Sequence, residues 1–192
     1  LQILLSLFVW FEVSLCFILF FPLQLALFFV TALFDRKRVI MHYHSSLWCC
    51  IGLALSPLWR IRLQGTENLD RKKAHVVIMN HQSLIDGLLV FRLFYPIKMV
   101  GKKSLGLVPI LGWNLFLSGH LLVDRKSLKS QLDTIRKMEE LTGRGEAIFV
   151  FPEGTRTRDG NLGEFRKGAF RSAANAGTPV LPVVIDGAFQ IL

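Results

Sequence analysis

Two short clusters of polar residues carry the types and spacing that chemistry requires. The first, Asn80-His81-Gln82-Ser83-Leu84-Ile85-Asp86, follows an apolar run that ends at Met79. A histidine and an aspartate five apart cannot share a face of one regular helix, because helical neighbours lie three and four apart. With His81 in a loop and Asp86 one turn inside the helix that follows, the carboxylate can reach the imidazole. It then holds one ring nitrogen protonated and leaves the other free to accept a proton, which makes a general base with its orienter. The same stretch also suits a capping box, with Ser83 as cap, Asp86 completing the box and His81 an ordinary loop residue.

The second cluster, Phe151-Pro152-Glu153-Gly154-Thr155-Arg156, again closes an apolar run. Gly154 permits a tight turn that aims backbone N–H groups outward, Thr155 adds a hydroxyl, and Arg156 offers a planar fork matched to phosphate oxygens. These are the parts of an anion cradle, although Glu153 beside Arg156 also suits an ion pair at a turn. Between the clusters, Lys102, Lys103 and Arg125 add basic groups near further strand ends. A phosphate-bearing ligand draws on several loops in this way, and the competing reading is solvated lysines with Arg125 paired to Asp124. The segment 180–185, centred on Pro182, has no reactive group and reads as a core strand.

Other chemistries find little support. The run from Gly101 to Gly106 is one residue off the nucleophile-elbow pattern and lacks its context, so Ser104 is a poor nucleophile. No phosphate-loop lysine motif or metal-spaced His/Cys/acid cluster occurs, so no cofactor and no metal are expected. Cys16, Cys49 and Cys50 are too few and too poorly spaced for a disulfide framework and read as packing residues. Lys and Arg number 23 against 14 Asp and Glu, an excess of +9 that favours anionic partners. Nucleic acid is not expected, because the basic residues are not interleaved with stacking aromatics on a recognisable module.

The elements that must position these residues are legible in the periodicity. Residues 1–34 are almost entirely apolar, interrupted by Glu12, Pro22 and Gln24, and meet the length of a membrane helix. A basic front and a small-residue cleavage site are missing, which argues against a cleaved signal. The cluster Asp35-Arg36-Lys37-Arg38 places that flank on the cytoplasmic side. A second apolar stretch, 45–59, falls short of the roughly twenty residues of a full span and is expected to lie in the interface or re-enter. Trp48 and Trp59 would sit at headgroup level, with Pro57 ending any helix. Beyond it, strands are predicted at 60–64, 75–79, 97–100, 120–123, 147–151 and 180–185, with helices at 127–142 and 165–176, the alternation of an α/β domain. The division is an anchor over 1–59 and one catalytic domain over 60–192. The chain opens on Leu1 and ends on Leu192 without terminal signals, so truncation at either end is expected.

Taken in order, these blocks resemble those of the phospholipid and glycerol-phosphate acyltransferase family, in particular its bacterial-type 1-acylglycerol-3-phosphate acyltransferase branch. The H-x-x-x-x-D block is His81 to Asp86, the G-to-R block Gly119 to Arg125, and the E-G-T-R block Glu153 to Arg156. The proline-centred block surrounds Pro182, and the match spans 60–185. The resemblance implies an α/β domain with a mixed, largely parallel sheet flanked by helices, an N-terminal helical membrane anchor, and a hydrophobic tunnel for the acyl chain. It implies transfer of a fatty acyl group from acyl-CoA or acyl carrier protein to the sn-2 hydroxyl of lysophosphatidic acid. His81 and Asp86 would be catalytic, and Glu153, Gly154, Thr155, Arg156, Arg125 and Lys103 would bind the phosphate. The implied partners are a lysophospholipid acceptor, the acyl donor and a bilayer, of bacterial inner-membrane type with the catalytic domain facing the cytoplasm. Alternatives are another lysolipid or glycerol 3-phosphate as acceptor, a lipid-ester hydrolase using the same dyad on water, and a non-catalytic lipid-binding protein.

Overall fold

Five strands form one sheet: β1 Val76–Met79, β2 Ile97–Lys102, β3 Leu121–Val123, β4 Ala147–Val150 and β5 Val180–Val183. Their order is β3-β2-β4-β1-β5, described by a computed structural model over residues 2–56 and 60–190. Every pairing is parallel, so the mixed sheet expected from the resemblance is a wholly parallel one among the described residues. The physical reason is connectivity, since each strand is joined to the next by a crossover carrying helical turns, which parallel pairing requires.

β1 and β4 lie side by side at the centre and are buried along nearly their whole length, as their unbroken Val/Ile/Met and Ala/Ile/Phe runs dictate. β5 departs from the expected core strand. It is an edge strand, with Val180 and Val184 on the surface. Pro182 lacks a ladder donor and is at home there. Residues 60–64 form no strand. The alternating Arg60-Ile61-Arg62-Leu63 pattern marks a half-wet segment that no strand accompanies.

The helices are α1 Gln2–Thr31, α2 Val39–Leu55, α3 Asp86–Leu89, α4 Leu111–Leu117, α5 Leu128–Gly143 and α6 Gly168–Asn175. In α5 Lys129, Arg136 and Lys137 are exposed, while Met138 and Thr142 are buried. Within α1, residues Ser6–Thr31 are long and apolar enough to cross a membrane, and most of their surface is free of protein contact. Gln24 is one of the exceptions. It is fully buried, donates Nε2–H to Ser118 Oγ at 2.9 Å, accepts Asn114 Nδ2–H at 2.7 Å, and meets His44 Nδ1 at 3.1 Å. A polar residue in an apolar helix thus faces protein, fixing α1 to α2 and α4.

The link into α2 is set by Asp35, whose two oxygens accept the Val39 and Ile40 amides and cap the new helix. Trp48 faces the protein core. It is 4% exposed and packs at 4.6 Å on Phe17, in one core cluster with Val77, Met79, Ile97 and Phe149. One face of α2 is therefore part of the core that packs on the sheet, which is why its large aromatic goes inward. Pro57 and Trp59 lie outside the described residues.

Below the sheet, two histidines complete its hydrogen bonding. β3 joins β2 only from Val100 onward, so the amides of Ile97 and Met99 need other acceptors. His42 Nδ1 takes the Ile97 amide at 3.5 Å and His120 Nδ1 takes that of Met99 at 3.1 Å. Burial, then the Lys98 ammonium, holds each of these imidazoles to about 3, so both are neutral acceptors. Lys98 itself donates to the Lys37 and Ser118 carbonyls, and burial brings it down to about 8.

Candidate active site

Adjacent central strands determine which loops meet. β1 ends at Met79 and β4 at Val150, so the loops that follow leave the same edge of the sheet side by side, the edge where parallel α/β sheets place ligands. Asn80 makes the first turn possible. Its side chain donates to the Ile185 carbonyl at 2.9 Å and accepts the Ile185 amide at 2.7 Å, standing in for one more rung between β1 and β5. The backbone is then free to leave the sheet at His81.

The imidazole and the carboxylate meet, with His81 Nδ1 at 2.9 Å from Asp86 Oδ2. Asp86 is the first residue of α3 and wholly buried. The same oxygen accepts the amides of Gln82 at 2.6 Å and Ser83 at 2.8 Å. The capping and dyad arrangements are thus one structure, because a single carboxylate closes the turn and holds the ring. Ser83 Oγ, by contrast, is buried without a partner and does no capping. Since Asp86 accepts, Nδ1 carries the proton and Nε2 is left with its lone pair. Phe151 supports the ring from below, stacked at 3.8 Å and 12°. Its π face favours the imidazolium that appears whenever Nε2 takes a proton.

The second cluster grips the backbone of the first. Phe151 to Gly154 is a tight turn, with the Gly154 amide donating to the Phe151 carbonyl at 3.0 Å, Pro152 preset for its second position and Gly154 at its fourth. Glu153 is buried, and its oxygens accept the His81 amide at 2.9 Å and the Gly163 amide at 3.0 Å. The Thr157 amide donates to the His81 carbonyl at 2.9 Å. His81 is therefore held on both sides of its main chain by a loop some seventy residues away. Glu153 does not sit as a phosphate ligand. A buried carboxylate already shared by two amides locks loops together and repels an anion, and it forms no ion pair with Arg156. Glu153→Gln should lower stability by about 1–3 kcal/mol in denaturant titration, because an amide NH2 cannot accept the second backbone donor.

The remaining predicted residues share the same sheet edge without touching the dyad. Gly154 has φ +70, and Thr155 and Arg156 are exposed beside it. Arg125 follows β3 and is partly buried. Burial, then the Arg166 guanidinium, pushes its pKa below the usual arginine range. Lys103 opens a 3-10 turn after β2 and is exposed, with no ion pair. Phe151, Asn80 and Arg166 were not singled out by sequence. Asn80 and Phe151 stand inside the motifs, but nothing in their spacing shows a ring shelf or a strand-mimicking amide.

A groove of about 590 Å3 opens over this edge, lined by His81, Gln82, Leu162, Phe165, Pro182 and Val184 among others. A second, of about 620 Å3, contains Arg156, Arg158, Arg166 and Lys167. The two share Glu153, Thr157, Asn161, Leu162 and Phe165 as a common wall, so an apolar trough at the imidazole adjoins a basic basin.

Known proteins are similar to this chain in fold and in sequence. The fold matches the crystal structure of the 1-acyl-sn-glycerophosphate (LPA) acyltransferase PlsC from Thermotoga maritima with a TM-score of 0.81 and 25% identity, over 98% of this chain and 75% of that one. A 1-acyl-sn-glycerol-3-phosphate acyltransferase of Chlamydomonas reinhardtii is 37% identical over 161 residues, 83% of this chain and 48% of that protein. A protein of the same name from Escherichia coli is 34% identical over 136 residues, 69% of this chain and 56% of that protein. The chain thus spans about half the length of the curated relatives it matches. The family model described as Acyltransferase matches residues 60–186, a stretch that holds the His81–Asp86 pair, Glu153 and the arginine basin, and this chain belongs to that family.

Proposed function

We propose that this chain transfers a fatty acyl group from a thioester, acyl-CoA or acyl carrier protein, to the sn-2 hydroxyl of 1-acylglycerol-3-phosphate, giving phosphatidic acid. The observation that carries this reading is the adjacency of the two grooves, one lined by His81 and the other by the arginines, across a shared wall. An acceptor with an apolar chain and an anionic head spans both, with its hydroxyl at His81, where Nε2 has no protein partner among the described residues. The names of the relatives support the same acceptor for those proteins.

The reaction needs no covalent intermediate. Nε2 takes the hydroxyl proton as that oxygen forms its bond to the thioester carbonyl carbon, and the imidazolium is stabilised by Asp86 and the Phe151 face. The tetrahedral adduct expels the thiolate, whose conjugate acid lies near the free-thiol value of about 8.5, so it leaves readily. His81 then returns the proton to that sulfur. Arg156 and Arg125, with Lys103, hold the headgroup phosphate, while Glu153 positions the His81 loop.

In this reading residues 1–59 attach the enzyme to a membrane and 60–192 carry the chemistry. The apolar surface of α1 meets lipid, and the basic flank after Thr31 faces the cytoplasm, in a membrane of bacterial inner-membrane type. The test is incubation with labelled acyl thioester, from each carrier, with and without lysophosphatidic acid. Labelled diacyl product that depends on acceptor is expected. Free fatty acid released at one rate in both tubes would show a hydrolase instead.

A further inference from the structure

A second apolar surface faces outward on the catalytic domain, carried by the 3-10 turn Lys103–Leu107 and by α4. Leu107 is 85% exposed, Phe116 79% and Trp113 57%, and Val108 also lies on the surface. Large apolar side chains clustered in this way, instead of scattered singly, mark a surface that meets an apolar partner. The hairpin that presents them is rigid. A β-carbon added at Gly112 would stand 2.2 Å from the Gly106 carbonyl oxygen, so turn and helix touch backbone to backbone. Between them Ile110 takes a φ of 64, which a β-branched residue holds only where the surrounding packing imposes it. On its inner side α4 is fastened to α1. Asn114 Nδ2–H donates to Gln24 Oε1 at 2.7 Å, and the Trp113 ring meets that of Phe21 at 5.8 Å. Leu25 and Phe29, one and two turns beyond Phe21 on the same face of α1, are exposed, so the patch continues the apolar surface of that helix. Lys102, exposed at the end of β2, adds a cation at its rim.

We propose, building on the acyltransferase reading in which α1 meets lipid, that this hairpin is a second lipid-contacting element, which enters the leaflet beside α1. The occupant is a bilayer because the patch extends a surface assigned to lipid and combines Phe, Leu and Trp with a basic rim, the composition of an interfacial element. The turn begins directly after β2, which runs parallel to β4 as β4 does to β1, so it leaves the sheet at the edge that carries His81. Contact with lipid at Leu107 and Phe116 brings that edge to the surface where a lysolipid resides.

The experiment uses the full chain reconstituted in phosphatidylglycerol and phosphatidylcholine vesicles. It compares wild type with the double variant Leu107→Glu and Phe116→Glu, with Phe116→Leu and with Trp113→Phe. Both glutamate positions are on the surface, and circular dichroism in detergent checks the fold. With lysophosphatidic acid presented in the vesicles, the double variant should lose about 10- to 100-fold in kcat/KM, the fold-change that keeping one large apolar side chain out of lipid represents. With detergent-solubilised enzyme and a short-chain lysophosphatidic acid dissolved as monomers, its rate should stay within about 2-fold of wild type, as for a surface substitution. Phe116→Leu should act as wild type on both acceptors. Independently of activity, the fluorescence that Trp113→Phe removes should be emission that phospholipids brominated just below the headgroup quench in wild type. A double variant that keeps its vesicle rate, equal losses on both acceptors, or Trp113 emission untouched by bromine overturns the lipid contact and leaves acyl transfer standing. A wild type that acylates neither acceptor overturns the functional reading, and the bromine measurement still decides the hairpin.

Discussion

Replacing His81 with alanine should lower kcat for acyl transfer by about 10^2- to 10^4-fold, the usual range for a lost general base, while acceptor and thioester still bind. The expectation follows from what the substitution leaves behind. Asp86 keeps its two amide donors from Gln82 and Ser83, so the turn and the start of α3 persist. The grip of Glu153 and Thr157 on residue 81 is through backbone atoms that alanine retains. Only the imidazole over Phe151 is gone. Asp86→Asn probes the same step from behind, because an amide need not hold Nδ1 in its protonated form and the ring can present the wrong nitrogen. Steady-state assays with soluble thioester and lysolipid in detergent micelles read both variants. Undiminished transfer in a folded His81→Ala protein would remove the imidazole from the mechanism.

Acid should destabilise the fold through His42, over a window set by two pKa values. Unfolded, the imidazole titrates near 6.5; folded, with the ring 3% exposed and Lys98 close by, it titrates at about 3. Between those values the unfolded chain binds the extra proton, so stability is complete above about pH 6.5 and is lost as pH falls toward 3. From pH 6.5, where the unfolded imidazole is already half protonated, to 4.5 the loss from this one group is about 2 kcal/mol, at 1.36 kcal/mol per unit. His42→Gln keeps an acceptor for the Ile97 amide and cannot titrate. Denaturant midpoints of the detergent-solubilised proteins should therefore fall more steeply with acid in wild type than in the variant. Parallel curves would mean that the ring is hydrated in the folded protein. Lys98 acts at the alkaline end. Its folded value of about 8 lies below the unfolded 10.4, so stability should rise between them.

Neither His42 nor Lys98 was visible as a special residue in the sequence, and the reason is general. The role of His42 comes from a local shortage in the sheet, a β2 amide that β3 does not reach, and that of Lys98 from the Lys37 and Ser118 carbonyls that converge on it; both exist only once strand lengths and order are known. Trp48 failed for a related reason. An aromatic in a short apolar helix reads as interfacial until the same helix is seen to cover Met79 and Phe149. The strand ends at Met79 and near Val150 were legible because buried parallel strands are written as unbroken apolar runs. α5, expected over 127–142, was legible because Leu128, Leu132, Ile135, Met138 and Leu141 recur every three or four positions up to Gly143.

What the sequence by itself determined is whatever depends on near neighbours. The five-residue spacing placed Asp86 against His81, Pro152 and Gly154 made the turn after β4, and the apolar run of α1 needed no partner to be recognised. The tertiary structure alone decided how the two clusters use each other. Because β4 lies beside β1, Glu153 meets the backbone of His81 instead of a phosphate, and Arg166, whose charge follows no pattern in the chain, comes to rest on Gly154. Contacts across seventy residues are set by strand order, and strand order is a property of the whole packed core.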